Sequence, residues 1–195
     1  MAGGRRRLRL RLGGAPLRVA IDVSPLVQTR AGTARYVRGL LRHLDVTPLS
    51  FGGAGRASTV ARDALWYPAL GLRGGFDVLH CPSFRGPPRA RAPLVVTVHD
   101  LAVLRRPEWF NRWTRSYSRL TVPRVARAAA RVIAVSEATK RDVVSLLGVP
   151  PGRIRVIPNG VEDAFRPDGP AADGDYVLAV GTLEPRKNLA RIAAA

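Results

Sequence analysis

The chain has 195 residues, 46% of them hydrophobic, which is enough apolar material for one sizeable core and too much for disorder throughout. Thirty-two basic residues against 14 acidic ones leave a formal net charge of +18, an excess that attracts polyanions such as nucleic acid, anionic lipid headgroups or diphosphates. Only Lys140 and Lys187 are lysines, and the arginines are scattered instead of gathered on one element with stacking aromatics, so nucleic-acid binding is the weaker reading.

A single cysteine, Cys81, allows neither a disulfide framework nor a Cys-based zinc site and suits a reducing cytosol. His43, His80 and His99 are too far apart in sequence to announce a metal cluster. After the arginines at 5–7 the text alternates Leu with Arg instead of forming an apolar signal core, and no run reaches the length of a membrane span. The expected location is cytoplasmic, with peripheral contact at the inner face of the membrane left open.

In chain order, residues 1–16, rich in Arg and Gly, read as a basic flexible tail. LRVAIDVSPLV, from Leu17, is a short apolar run with β-branched residues bounded by Pro25, which reads as a buried strand. Gly32 follows, and then Tyr36, Val37, Leu40, Leu41 and Leu44 are spaced as one apolar face of a helix. Residues 76–81 and 94–99 are two further strands. The second, PLVVTVH, is too continuous for a half-exposed antiparallel strand and points to a parallel sheet covered on both faces. The basic stretch between Trp109 and Arg131 is helix-compatible, with Pro123 as a kink or break.

RVIAV (131–135) reads as a strand, Ser136 as an N-cap, and 137–147 as a helix closed by Gly148 and the Pro150-Pro151 pair. A strand over 154–157 runs into the turn Pro158-Asn159-Gly160. This alternation predicts an α/β fold with a Rossmann-like, doubly wound parallel sheet over 17–161. From 162 to 175 the composition shifts to Pro, Gly, Asp and Ala, which marks a linker. YVLAVG (176–181) is another buried-strand pattern, and the text then turns into the start of a helix. That strand has no second α/β unit to pack against, so 176–195 is expected to be the beginning of a truncated second Rossmann-like domain.

Five stretches carry a family resemblance: VAIDVSPL with AGTARYVRGLL, DVLHCPSF, VVTVHDLAVLRRPEWF, VIAVSEATKRDVVSLLGVPPGRIRVIPNGV, and YVLAVGTLEPRKNL. In this order and spacing the chain resembles glycosyltransferase family 4, the retaining GT-B enzymes that include many bacterial mannosyltransferases and other hexosyltransferases. The resemblance implies two Rossmann-like domains facing each other across a cleft, the first receiving an acceptor and the second holding a nucleotide sugar. On that basis the expected activity is hexose transfer from a nucleotide-diphosphate sugar to a glycan or lipid-linked acceptor with retention of configuration. No cofactor and no metal are expected, the nucleotide sugar being a co-substrate. This chain alone is expected to be inactive, because the donor must be gripped from both sides of the cleft.

The same resemblance proposes roles for residues. His99 ends the clearest strand, where open α/β sheets place ligand contacts, and HDL resembles the family's active-site histidine. Asp100, Thr33 and Tyr36 are acceptor-side candidates. Gly32 stands where a strand-to-helix turn favours an anion, and Arg186 with Lys187, in EPRKN, falls where relatives bind the donor phosphate. Cations there would stabilise the charge that grows on the leaving diphosphate. Thr182 departs from the pattern, since many relatives carry Arg directly after the strand's glycine. His80 and Cys81 are expected to pack beneath the cleft, and Asp173-Gly174-Asp175 is read as linker, not as a metal-binding DxD.

A second reading, from a different class, is a non-catalytic module that binds polyanions or a membrane surface. Trp109, Phe110, Trp113 and Tyr117 lie among arginines in the 105–131 stretch and could rest on anionic lipid. The same pattern is equally served by a helix that packs its aromatics inward.

Overall fold

The structure, a computed structural model, describes residues 7–28, 32–166, 168, 173–176, 178–181 and 187–193. At its start Gly13 (φ 57°) and Gly14 (φ 84°) both adopt left-handed backbone, which a tight two-residue hairpin turn demands and glycine takes without strain. They join β1 (Arg11–Leu12) to β2 (Ala15–Pro16) in an antiparallel pair. Just before them the Leu8 N–H donates to the His43 carbonyl at 2.7 Å, and the Leu8 carbonyl accepts from the Asp45 N–H at 3.0 Å. Residues 7–16 are therefore not the flexible tail the composition implies. Their alternating Leu-Arg text is a strand pattern, and backbone bonds fix it even though Leu12 stays exposed.

The central sheet has six strands, all parallel: β3 (Val19–Asp22), β4 (Thr47–Leu49), β5 (Val78–Cys81), β6 (Leu94–Val98), β7 (Arg131–Ala134) and β8 (Ile154–Val156). Their order is β4-β3-β5-β6-β7-β8. Between β3 and β4 lie α1 (Pro25–Gln28) and α2 (Gly32–His43). Between β4 and β5 come α3 (Arg56–Ala61), a π-helical turn over Arg62–Trp66, and α4 (Tyr67–Leu72). The β6 to β7 connection carries α5 (Ala102–Arg105) and α6 (Arg112–Ala128), and α7 (Glu137–Leu147) joins β7 to β8. This is a Rossmann-like α/β domain.

Alternation along each strand divides the residues between two faces. Cys81, Val96 and Val132 pack in one core with Tyr67 and Leu70 of α4, Val122 and Val125 of α6, and Val143 and Leu147 of α7. The intervening residues Ile21, His80 and Thr97 face the other way, toward the α2 side, and are also buried. Burial on both faces is why PLVVTVH contains so few polar residues.

Local signals explain α7 well. The Ser136 hydroxyl accepts from the Thr139 N–H at 3.1 Å, and Gly148 closes the helix in the left-handed region at φ 67°. In contrast, Pro123 does not break its helix: α6 runs without interruption past it. Proline removes only the bond to the carbonyl four residues back, and that residue, Arg119, is exposed, so water can satisfy the carbonyl. Burial of Val122, Val125 and Ala126 on the inner face offsets the lost bond.

The short strand β4 is absent from the sequence reading because Pro48 lies in its middle. At the sheet's edge the missing N–H faces no partner, so proline is tolerated. The segment 176–181 shows the opposite error. At its described positions it forms no strand, and Leu178 and Val180 are 73% and 85% exposed. Among the described residues no strand lies beside it to take its backbone groups. The helix expected to follow is α8, Leu189–Ala193.

Candidate functional site

From β3 the chain first turns to β4 on one side, then returns past β3 to β5 on the other. Open α/β sheets bind ligands at such a reversal, in the crevice outside the carboxyl ends of the strands. His99 leaves β6 at this end of the sheet, and Pro82 leaves β5 beside it. The His99 Nε2 lies 3.2 Å from the Pro82 carbonyl oxygen. A carbonyl can only accept, so the neutral ring is assigned its proton on Nε2, which leaves the Nδ1 lone pair unprotonated.

Tyr36, one turn into α2, meets the His99 ring edge-on, with centroids 5.0 Å apart at 82°. Its hydroxyl lies 3.3 Å from the Thr97 Oγ1, and the same Oγ1 lies 2.9 Å from the His80 Nε2. His80, Thr97, Tyr36 and His99 thus form one contiguous cluster from β5, β6, α2 and the end of β6. The two histidines, far apart in sequence, enter one cluster because β5 and β6 are neighbours in register.

Burial lowers the His80 pKa to about 4, and the charge of His99 adds to the effect. Burial also lowers the pKa of His99, against the opposing pull of the Pro82 carbonyl and of Asp100. The Tyr36 phenol is raised by burial, partly offset by its bond to Thr97. All three groups are therefore neutral at pH 7. For His80 the unfolded chain takes up its proton near pH 6.5 and the folded one only near 4. Its contribution is thus fully present above pH 6.5 and lost as pH falls toward 4. Urea titrations across that window should show stability declining by about 3 kcal/mol from this residue, and His80→Asn should flatten the decline.

The other predicted residues fall in different surroundings. Gly32 is the first residue of α2, and a Cβ built on it would meet nothing within 4 Å. Thr33 follows it, half-buried. Asp100 is exposed, and its Oδ1 accepts from the Ala102 N–H at 3.1 Å, which gives it a local role at the start of α5. Lys187 is exposed, with its aliphatic stem 3.8 Å from where a Cβ on Gly181 would lie. Arg186 lies outside the described residues. The structure therefore gathers Tyr36 and His99 into one site with Gly32 on the same helix.

Gly32 and Tyr36 also line a cavity of about 980 Å³ between α2 and the 159–165 segment. Glu162 crosses it, 3.4 Å from Arg35 and 3.9 Å from Arg42, and the Arg35 guanidinium lies over the Phe165 ring at 5.5 Å.

Two polar clusters have no counterpart in the sequence reading. Asp22, fully buried at the end of β3, accepts from the Tyr67 hydroxyl at 2.8 Å and from the Ser24 N–H at 2.9 Å. A carboxylate ending the apolar run VAID is the signal that could have found it. Asp63 accepts from the Tyr117 hydroxyl and pairs with Arg85 at 3.3 Å, and the Arg85 guanidinium lies over the Tyr117 ring. Burial and Asp63 push Tyr117 up to about 12. Of the aromatics in the 105–131 stretch, Tyr117 is thus turned inward with Trp113 stacked on it, while Trp109 and Trp113 remain exposed at 44% and 39%.

The fold and this crevice define a Rossmann-like domain with a candidate ligand site at its strand reversal. The sequence profile of Glycosyltransferase Family 4 matches residues 21–165, and the chain belongs to that family. It is 33% identical over 133 residues to a D-inositol 3-phosphate glycosyltransferase of Acidothermus cellulolyticus, across 58% of this chain and 30% of that one. It is 26% identical over 123 residues to an O-antigen chain mannosyltransferase B of Escherichia coli, across 57% of this chain and 32% of that one. The matches thus span about a third of the length of these curated relatives. Among the described residues no helix is long and apolar enough to cross a membrane.

Proposed function

We propose that the chain is the acceptor-binding half of an enzyme that transfers a hexose from a nucleotide-diphosphate sugar with retention of configuration. The observation that carries this reading is the placement of His99. Its ring stands at the carboxyl end of β6, pinned between the Pro82 carbonyl and the Tyr36 ring, beside the strand reversal. A neutral imidazole with an unprotonated Nδ1 accepts a hydrogen bond from a sugar hydroxyl without an accompanying charge. The N-terminus of α2 at Gly32 suits the diphosphate. Arg186 and Lys187 would add cations where negative charge grows on the leaving group.

The names of the two relatives supply the ligands to try: D-inositol 3-phosphate from one, and mannosides from the other, an O-antigen chain mannosyltransferase. The decisive experiment is an NMR titration of the chain with D-inositol 3-phosphate, with mannosides, and with UDP- and GDP-hexoses. An acceptor-class ligand should shift the His99 and Tyr36 side-chain signals, nucleotide sugars should shift them less, and no sugar should be released by this chain alone. Millimolar ligands that leave both residues unmoved, or that move only the surface of α6, would remove the proposal.

A further inference from the structure

The His99 ring is held by two contacts, and one of them is itself held from inside the sheet. Tyr36 projects from α2 onto β6, where its hydroxyl meets Thr97, which is fully buried. Thr97 in turn meets His80 on β5, a residue only 8% exposed. A threonine hydroxyl has one proton, so it can donate to one neighbour while accepting from the other. Its two neighbours here are an imidazole and a phenol, each of which can serve in either role. The three groups therefore have two self-consistent arrangements. In one, His80 Nε2–H donates to Thr97, Thr97 donates to Tyr36, and the phenol proton is free to point outward. In the other, Tyr36 donates to Thr97 and Thr97 donates to an unprotonated His80 Nε2. Neither arrangement carries net charge.

We propose that His80 and Thr97 are positioning residues of the candidate site: they anchor the Tyr36 hydroxyl, and through the Tyr36 ring they fix the orientation of His99. The inference rests on the reading of His99 as a sugar contact, but its geometry is independent of any ligand. It also explains why two polar side chains occupy the interior of β5 and β6, where apolar residues would otherwise be favoured. Neither residue reaches the crevice itself, so neither would touch substrate.

The test uses the chain as it is, labelled for histidine ring spectroscopy, with Thr97→Val, Thr97→Ser and Tyr36→Phe. The groups facing His99 are Tyr36 from α2, His80 from β5, the Pro82 carbonyl and Asp100, while the Thr139 hydroxyl bonds the His99 backbone carbonyl at 3.3 Å. Burial is what lowers the His99 titration, so a Tyr36 ring released from its anchor lets water in, and the midpoint moves up toward that of an ordinary histidine. Thr97→Val should raise the His99 midpoint and weaken the Tyr36 to His99 ring contact. Thr97→Ser should restore both. Tyr36→Phe keeps the ring, removes only the hydroxyl at a half-buried position, and should also raise the midpoint, so the proposal stays testable if Thr97→Val does not fold.

A folded Thr97→Val or Tyr36→Phe chain with an unchanged His99 midpoint and ring contact would overturn the proposal. So would failure of Thr97→Ser to restore them, since that would make the effect one of packing alone. Ligand shifts at His99 that persist without the coupling would remove this inference and leave the functional reading standing. Coupling that is present while acceptors move nothing would do the reverse.

Discussion

Gly71→Ala should bring the protein close to unfolding. A Cβ on Gly71 would lie 2.0 Å from the Arg89 carbonyl oxygen and 3.1 Å from the Pro87 Cβ, and an oxygen fixed in a backbone cannot swing aside as a flexible side chain does. The approach is close because α4 and the 87–91 loop touch backbone to backbone, with the Arg91 N–H donating to the Gly71 carbonyl at 2.8 Å. Relieving the clash means parting the two segments, which breaks that bond and draws Tyr67 and Leu70, each 1% exposed, out of the core. Overpacking of this kind costs about 3 kcal/mol or more, a large part of the roughly 5–15 kcal/mol that holds a domain together. The midpoint of urea denaturation reads the loss directly, and a midpoint equal to that of the parent chain would show that the loop yields freely.

The second large effect is expected from Arg62→Met. Arg62 is fully buried in the π-helical turn, where its guanidinium donates to the Phe51 carbonyl at 3.2 Å and the Gly53 carbonyl at 3.1 Å. With its amide turned to satisfy both ends, Gln28 offers an oxygen 3.1 Å from the same group. Methionine fills similar space but leaves these acceptors without donors, and a buried group stripped of its partner costs about 1–3 kcal/mol. A total near 3 kcal/mol is expected by calorimetry or denaturant titration. Lysine should recover only part of it, because an ammonium cannot span acceptors that a planar fork reaches together. Full recovery by lysine would mean that charge, and not the fork, is what the site needs.

Neither residue was visible as important beforehand, and the reasons are physical. Gly71 sits in ALGLRGG, where several glycines look alike, and only the fold shows which one a neighbouring backbone approaches. Arg62 is one of many arginines in an arginine-rich chain, so its type carried no signal. By comparison, the strands β3, β5, β6, β7 and β8 were legible to within a residue or two at most ends, because burial on both faces writes a continuous apolar run. The caps of α7 were legible because Ser136 and Gly148 act on their own helix. What composition could not give was contact between distant residues. Tyr36 reads as part of an apolar helix face and, by resemblance, as an acceptor-side candidate, and His80 as packing, but only the pairing of β5 with β6 and the placement of α2 bring them to His99. The YVLAVG text failed for a related reason: a strand needs a neighbour to hold its backbone, whatever its own pattern.

Cys81 is fully buried, and burial raises its thiol well above the usual range, with Asp22 adding to the effect. Its Sγ is so closely surrounded that a Cβ on Gly86 would come within 3.0 Å of it. An alkylating dye can therefore consume this sulfur only when the middle of the sheet opens, since attack needs both access and a thiolate. As the sequence contains one cysteine, the chain carries a built-in clock, and its labelling rate counts how often β5 separates from its covering helices.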